Sequence, residues 1–283
     1  MTTGRRAISA AVLAWGMPRL RDLPWRHTRD PWAVLVSEVM LQQTQVARVV
    51  PRWSRFLERF PTPEACAAAG LADVLREWQG LGYPRRAKQL HAAAGRLVEL
   101  GGFPRDLDGL LALPGVGRYT ARALMAFAFE LDAAVVDTNI ARVYSRLEGR
   151  RLTPGGVQAM ADAACPPGAA WAWNQCMIDL GATVCRPAPS CDRCPLDRQC
   201  AWRGAGPDPS VGSSGVSRTQ PRFEGSDRQA RGRLMRALVG GPVMRDEVAT
   251  VIERDLPTAD RLADALVSEG MCVAAGEWLR LPD

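Results

Sequence analysis

No stretch of this 283-residue chain is apolar for the length a bilayer requires, which argues against a helical membrane span and leaves no membrane among its expected partners. A secretory leader is not expected either. Arg5 and Arg6 precede the apolar run from Ala7 to Met17, but that run contains Trp15 and Gly16, lacks an A-x-A exit and flows into "PRLRDLPW". It reads as the amphipathic first helix of a cytoplasmic protein. Alternating apolar and polar runs are few, which excludes a mainly β fold, and no repeat period emerges. Neither sign of charge dominates: Lys and Arg number 36 against 30 Asp and Glu, a formal charge of +6 that favours anionic partners without requiring one. Cysteine is thin outside a single loop. Cys66, Cys165, Cys176 and Cys272 are scattered among Ala, Trp and Met and are expected to be small buried hydrophobes.

What is present is helix, with a 47% hydrophobic content that can build real cores. Apolar residues recur at three- and four-residue spacing through 32–49, 64–78, 86–99, 119–130 and 157–180. Between them "RFPTPE", "GGFPRDLDG", "LPGVG" and "LTPGG" supply the Pro and Gly that end one helix and admit the next. The expected fold class is all-α over residues 1–184, followed by a cysteine loop at 185–202. Residues 203–224 are rich in Gly, Ser and Pro with almost nothing to bury, as a flexible linker would be. Beyond it, 227–239, 243–253 and 258–269 read as short helices and "MCVAAGEWLRL" as two strands about a Gly-Glu turn. Residues 225–283 are therefore expected to form a small winged-helix-like α/β module.

Four places carry chemistry. Cys185, Cys191, Cys194 and Cys200 fall in sixteen residues, and in a reducing compartment such a cluster holds metal rather than disulfides. Zinc and a 4Fe-4S cluster both remain open on spacing alone, the single short loop favouring the iron cluster. In "LPGVGRYTARAL", Gly115 and Gly117 can bare backbone N–H groups at a helix start beside Arg118, a grip for phosphate, although an ordinary helical turn looks the same. In "DPWAVLVSEVMLQQTQVARVV", Glu38, Gln42 and Gln45 would share one face of a helix over 30–50, with Val39 and Met40 beside the acid favouring its protonated form. Such a residue suits a general acid. Asp137 in "AAVVDTNIARV" is delivered by small and branched apolar residues, and it is equally placed to be only a helix N-cap. Two carboxyl groups are what glycosidic cleavage asks for: one protonates the leaving group and one stabilises an oxocarbenium-like sugar.

In this order the motifs resemble the helix-hairpin-helix DNA glycosylases, and more closely the MutY-type adenine glycosylases: "LPWR" at 23–26, "SEVMLQQTQV" at 37–46, "GLGYPRRA" at 80–87, "LPGVGRYTA" at 113–121, "VVDTN" at 135–139 and the cysteine loop. The resemblance spans residues 1–202. It implies two helical lobes, a six-helix barrel over roughly 25–135 and a second lobe from the N-terminal helix and 136–184. It also implies a monomeric, nucleoid-associated enzyme that flips adenine out of double-stranded DNA where it is mispaired with 8-oxoguanine or guanine, and hydrolyses its N-glycosidic bond. The cysteine loop would then hold a 4Fe-4S cluster. By the same resemblance Glu38 is the acid that protonates adenine at N7, Asp137 stabilises the sugar cation and Asn139 orders that site. Tyr119 stands where strand-cutting relatives carry a lysine, so no Schiff base would form and an abasic site would remain. Gln43 and Tyr83 match groups that enter the duplex, and Gln42, Thr44, Gly115, Gly117 and Arg118 are expected at DNA. Arg26 matches a pocket-side residue.

Two departures stand out. The spacer between Cys185 and Cys191, "RPAPS", is one residue shorter than is usual in the family, and residues 201–283 are too few for the Nudix-like domain with which many relatives recognise 8-oxoguanine. Two other readings compete: a thymine or uracil mismatch glycosylase of the same superfamily, and a non-catalytic iron-sulfur protein that binds DNA.

Overall fold

The structure is a computed structural model that describes residues 3–213, 215–216 and 222–283. In chain order its helices begin with α1 (Thr3–Gly16), α2 (Pro31–Leu41), α3 (Val46–Arg59), α4 (Pro63–Ala68), α5 (Leu71–Glu77), α6 (Arg85–Leu100) and α7 (Leu107–Leu111). They continue with α8 (Arg118–Phe127), α9 (Thr138–Glu148), α10 (Pro154–Ala164), α11 (Ala170–Thr183) and α12 (Asp227–Gly240). A small sheet of β1 (Val243–Met244), β2 (Val273–Ala275) and β3 (Trp278–Arg280) accompanies α13 (Val248–Ile252) and α14 (Leu256–Ser268). Among the described residues no helix is long and apolar enough to cross a membrane. The fold is the mostly helical one that the apolar periodicity requires, with a small C-terminal α/β module.

Residues gather into two units, the first made of 1–34, 104–111 and 116–219, the second of 35–103, 112–115 and 220–283. In the first, α11 lies against α1, α8 and α9, burying Trp173, Cys176, Met177 and Leu180. Asn174 of the same helix does what a neighbouring strand would do. Its side chain accepts from Val135 N at 3.0 Å and donates to Ala133 O at 2.8 Å, so the extended segment leading to Asp137 keeps its backbone satisfied without a sheet. In the second unit, α6 packs on α4 and α5, and the rings of Phe56, Phe60 and Trp78 meet edge to face in its core.

Three helices expected as single are broken. The one over 30–50 stops at Leu41 and restarts at Val46, so Glu38, Gln42 and Gln45 do not share a helical face; Gln43 between them has a left-handed φ of 54°. The one over 64–78 divides at Ala69–Gly70. The one over 157–180 divides where Pro166 and Pro167 withdraw two backbone donors. In the module, 243–253 opens as strand β1 rather than helix. The sheet is antiparallel in the order β1-β3-β2, with Leu279 at its buried centre paired to both Val243 and Ala274.

Of the expected linker, residues 214 and 217–221 lie outside the described residues. The part before them is anchored to the first unit through polar groups: Asp208 pairs with Arg146, and Ser213 Oγ accepts from Leu152 N at 3.1 Å.

Candidate functional site

Asp137 is the N-cap of α9. Its Oδ1 accepts from Ile140 N at 2.7 Å and its Oδ2 from Asn139 Nδ2 at 2.8 Å. The capping reading and the catalytic one are thus compatible, because both require a carboxylate fixed at a helix N-terminus. Burial pushes this carboxyl above the ordinary carboxylate range, and the donors from Ile140 and Asn139 and the nearby Arg142 pull it back in part. Asn139 can sit there only because α11 carries Gly181 opposite: a Cβ on that glycine would fall 2.6 Å from Asn139 Cβ and 2.9 Å from its backbone carbonyl.

From Asn139 a continuous chain of hydrogen bonds runs to the cysteine loop. Asn139 Oδ1 accepts from Arg142 Nη2 at 2.8 Å, the same nitrogen donates to Gly181 O at 2.7 Å, and Arg142 Nε donates to Cys185 O at 2.7 Å. One turn on, Arg146 is 1% exposed. Its guanidinium lies against Trp202 at 4.5 Å, pairs with Asp208, and donates to Arg186 O at 2.6 Å, Pro187 O at 3.0 Å and Cys185 Sγ at 3.4 Å. Two arginines of one helix therefore tie the loop to the cap that holds Asp137. Neither appeared among the sequence-based candidates; only their i, i+4 spacing behind "VVDTN" could have pointed to them.

All four candidate ligands, Cys185, Cys191, Cys194 and Cys200, line one cavity of about 110 Å3. Among the described residues no three His, Cys, Asp or Glu side chains are drawn together tightly enough to hold a metal ion. A donor set of four sulfurs around a common space fits a polynuclear body better than a lone ion. Burial raises the thiols of Cys185 and Cys194, the latter to about 11, so as bare groups they are protonated near neutrality. A cationic metal body would invert that preference, and the donors already aimed at sulfur, Arg146 Nη1 on Cys185 and Arg203 N on Cys200 at 3.4 Å each, suit thiolates.

The second unit assembles four of the expected DNA residues. Gln42, Gln43, Tyr83 and Gly115 line an open pocket of about 380 Å3, together with Arg85 and Gln89, which the sequence did not single out. Gly115 has φ 74°, and a Cβ there would meet Gln89 Cβ at 2.6 Å, so both its conformation and its neighbour require glycine. Tyr83 has φ 48°, so two non-glycine residues of this pocket, Gln43 and Tyr83, adopt left-handed backbone. Arg86 holds both turns in place. Its Nη1 donates to Val39 O, Met40 O and Gln42 O at 2.6–2.9 Å, the orphan carbonyls at the end of α2. Its Nη2 donates to Thr44 Oγ1, Leu81 O and Gly82 O at 3.0–3.1 Å. Burial lowers this guanidinium to about 10, which leaves it charged.

Elsewhere the candidates divide. Glu38 is 6% exposed in the part of α2 that belongs to the second unit, beside the buried Val39 and Met40. Tyr119, half-buried, lies in the first turn of α8, after Gly117 as N-cap and the exposed Arg118. Arg26 is 7% exposed, with both terminal nitrogens on Asp179 at 2.8 Å in the first unit, a buried ion pair. Thr44 is half-buried, and its hydroxyl donates to Leu81 O and accepts from Arg86 Nη2, tying two turns together.

Residues 36–167 match the model of the HhH-GPD superfamily of base excision DNA repair proteins. The adenine DNA glycosylase of Mycolicibacterium smegmatis is 44% identical over 272 residues, covering 92% of this chain and 90% of that protein, a span that takes in most of the C-terminal module. Among solved structures, a thermostable thymine-DNA glycosylase superposes with a TM-score of 0.66 at 29% identity, covering 71% of this chain and 96% of that one. A trapped endonuclease III–DNA covalent intermediate gives 0.62 at 28%, covering 72% and 98%. With its motifs, its helical fold and this shared length together, the chain belongs to the HhH-GPD superfamily of base excision DNA repair proteins, in the group of the adenine DNA glycosylases.

Proposed function

We propose that the protein hydrolyses the N-glycosidic bond of adenine mispaired with 8-oxoguanine or guanine in double-stranded DNA, acting as a monomer and leaving an abasic site. The observation that carries this reading is Asp137: a carboxylate held by two donors in a desolvated setting is suited to shelter a developing sugar cation. Glu38 supplies the proton that lets adenine depart as a neutral base. Asn139 fixes one oxygen of Asp137.

The chemistry is read as ending at hydrolysis: Tyr119 stands where strand-cutting relatives carry the Schiff-base lysine, and the chain's one lysine, Lys88, donates its ammonium to Glu269 O at 2.6 Å. The pocket rimmed by Gln43 and Tyr83 supports the reading that these side chains enter the duplex when the nucleotide is extruded, a step that costs a few kcal/mol. Gly115, Gly117 and Arg118 grip phosphate at the start of α8. Cys185, Cys191, Cys194 and Cys200 would hold a 4Fe-4S cluster, which when bound would keep them as thiolates and shape the loop next to Arg142 and Arg146.

Duplexes carrying A opposite 8-oxoguanine, A opposite G, T opposite G and U opposite G, treated with protein and then alkali, test the assignment. Release from the two adenine duplexes is expected to dominate. The likeness to a thymine-DNA glycosylase gives the T·G duplex its weight, and dominant cleavage there would overturn the adenine reading. Glu38→Gln is expected to abolish release while binding persists; unchanged release would mean that Glu38 is not the acid, and binding by the unaltered protein with no release from any of the four duplexes would make it a DNA binder without catalysis.

A further inference from the structure

We propose that Arg228 is a positioning residue for Tyr83, through which the C-terminal module sets how the enzyme responds to the base opposite the excised adenine. The proposal rests on the reading above in which Tyr83 enters the duplex. Tyr83 occupies a left-handed backbone position between Gly82 and Pro84, a conformation that costs an ordinary residue about 1–2 kcal/mol and persists only where its surroundings enforce it. Arg86 enforces the base of the turn, donating to Gly82 O and lying 5.5 Å from the Tyr83 ring centroid. The far end of the ring is reached from elsewhere in the chain: Arg228 Nη1 donates to the Tyr83 hydroxyl at 3.1 Å across 145 residues of sequence.

Arg228 is itself held. It lies in the first turn of α12, whose N-cap Ser226 accepts from Gln229 N, and its guanidinium is 5.6 Å from the ring of Phe223, a side chain 56% exposed. The helix is fixed within the same unit, packing on α5 and pairing Arg231 with Glu269, whose carbonyl takes the Lys88 ammonium from α6. Since α6 begins two residues after Tyr83, the contacts close a circuit from Tyr83 through α6, Lys88, Glu269, Arg231 and Arg228 back to the phenol. A ring fixed at both ends keeps one stacking geometry, and base–aromatic stacking is worth about 1–3 kcal/mol per base. A ring that lost the contact to Arg228 would be freer to tilt to suit whichever base it meets. Purine partners of adenine, guanine and 8-oxoguanine, would then lose their advantage over cytosine.

The test uses the full chain as Tyr83→Phe, Arg228→Gln, Arg228→Lys and the double variant Tyr83→Phe/Arg228→Gln. Single-turnover adenine release is measured opposite 8-oxoguanine, guanine and cytosine, and 2-aminopurine beside the mismatch reports unstacking without any chemistry. Tyr83→Phe and Arg228→Gln are each expected to shrink the 8-oxoguanine-to-cytosine rate ratio about tenfold, the scale of one hydrogen bond to a charged group. The double variant should shrink it no further, and Arg228→Lys should keep most of it, at unchanged Tm. Additive effects, or a uniform slowing opposite all three bases, would overturn the proposal. If no duplex lost adenine while the 2-aminopurine signal still showed the coupling, the fault would lie with the adenine reading instead.

Discussion

At the scale of single residues, Asp137 answers two opposed demands. Burial favours its protonated form, while Ile140 N and Asn139 Nδ2 favour the anion, and burial is the larger influence, so its carboxyl titrates above the ordinary range. Only the ionised form can shelter a cationic sugar. The rate of base release is therefore expected to fall on the acidic side at a pH above that of an ordinary carboxylate, as the group takes up its proton. Asn139→Ala removes a donor to the anion, so that limb should move to still higher pH, with release at neutral pH slower by about 10–100-fold. A single-turnover pH profile of both proteins reads this directly, and an unmoved limb would mean that Asp137 does not set it. The linkage to stability has the same origin. A carboxyl raised by folding binds its proton more tightly in the native state, so its contribution is fully present at low pH and is lost as pH rises through the raised value.

Between elements the decisive distances are those of backbones. Helices α9 and α11 approach at Gly181, where a methyl group would press on Asn139 from 2.6 Å and on its carbonyl from 2.9 Å. Gly181→Ala is expected to destabilise by about 1–3 kcal/mol and to slow base release even where the protein remains folded, because the displaced residue is the one that fixes Asp137. Gly95, inside α6, has nothing within 4 Å of the corresponding position, and Gly95→Ala should instead stabilise by about 0.5–1 kcal/mol. Calorimetry on the pair checks the opposite signs. The same contrast explains what could be read in the sequence. Helix α6 and the capped start of α9 were legible because periodicity and cap chemistry are local, and the four cysteines because their spacing is short. The break between α2 and α3 was not, since it depends on Arg86, more than forty residues away, capping carbonyls that would otherwise have continued a helix. The ion pair of Arg26 was illegible for a like reason: its partner Asp179 lies 153 residues on, and "LPWR" looks the same whether the arginine faces a ligand or a buried acid.

At the scale of the whole molecule, the chain does not use its units in order. Residues 208–213 belong with the first unit, held through Asp208 and Ser213, while residues 220–283 complete the second, begun nearly two hundred positions earlier. A tail that composition presents as an appendage is therefore an integral layer: α12 packs on α5, Lys88 of α6 is capped by Glu269 O, and Leu71 N donates to Asp283 O at 3.3 Å. A chain ended after Glu224 is expected to expose the α5 face and lose these ties. At about 2–4 °C per kcal/mol for chains of 150–250 residues, a loss of a few kcal/mol should lower Tm by about 5–10 °C. Amide exchange should quicken along α5 and α6, and little should change at α9 and α11, whose principal packing partners are retained. An independent appendage would behave otherwise, leaving both the main transition and the exchange of α6 as they were. Because Arg228 leaves with the tail, the shortened chain should also respond to the base opposite adenine as Arg228→Gln does, which ties the stability of this layer to what the enzyme reads.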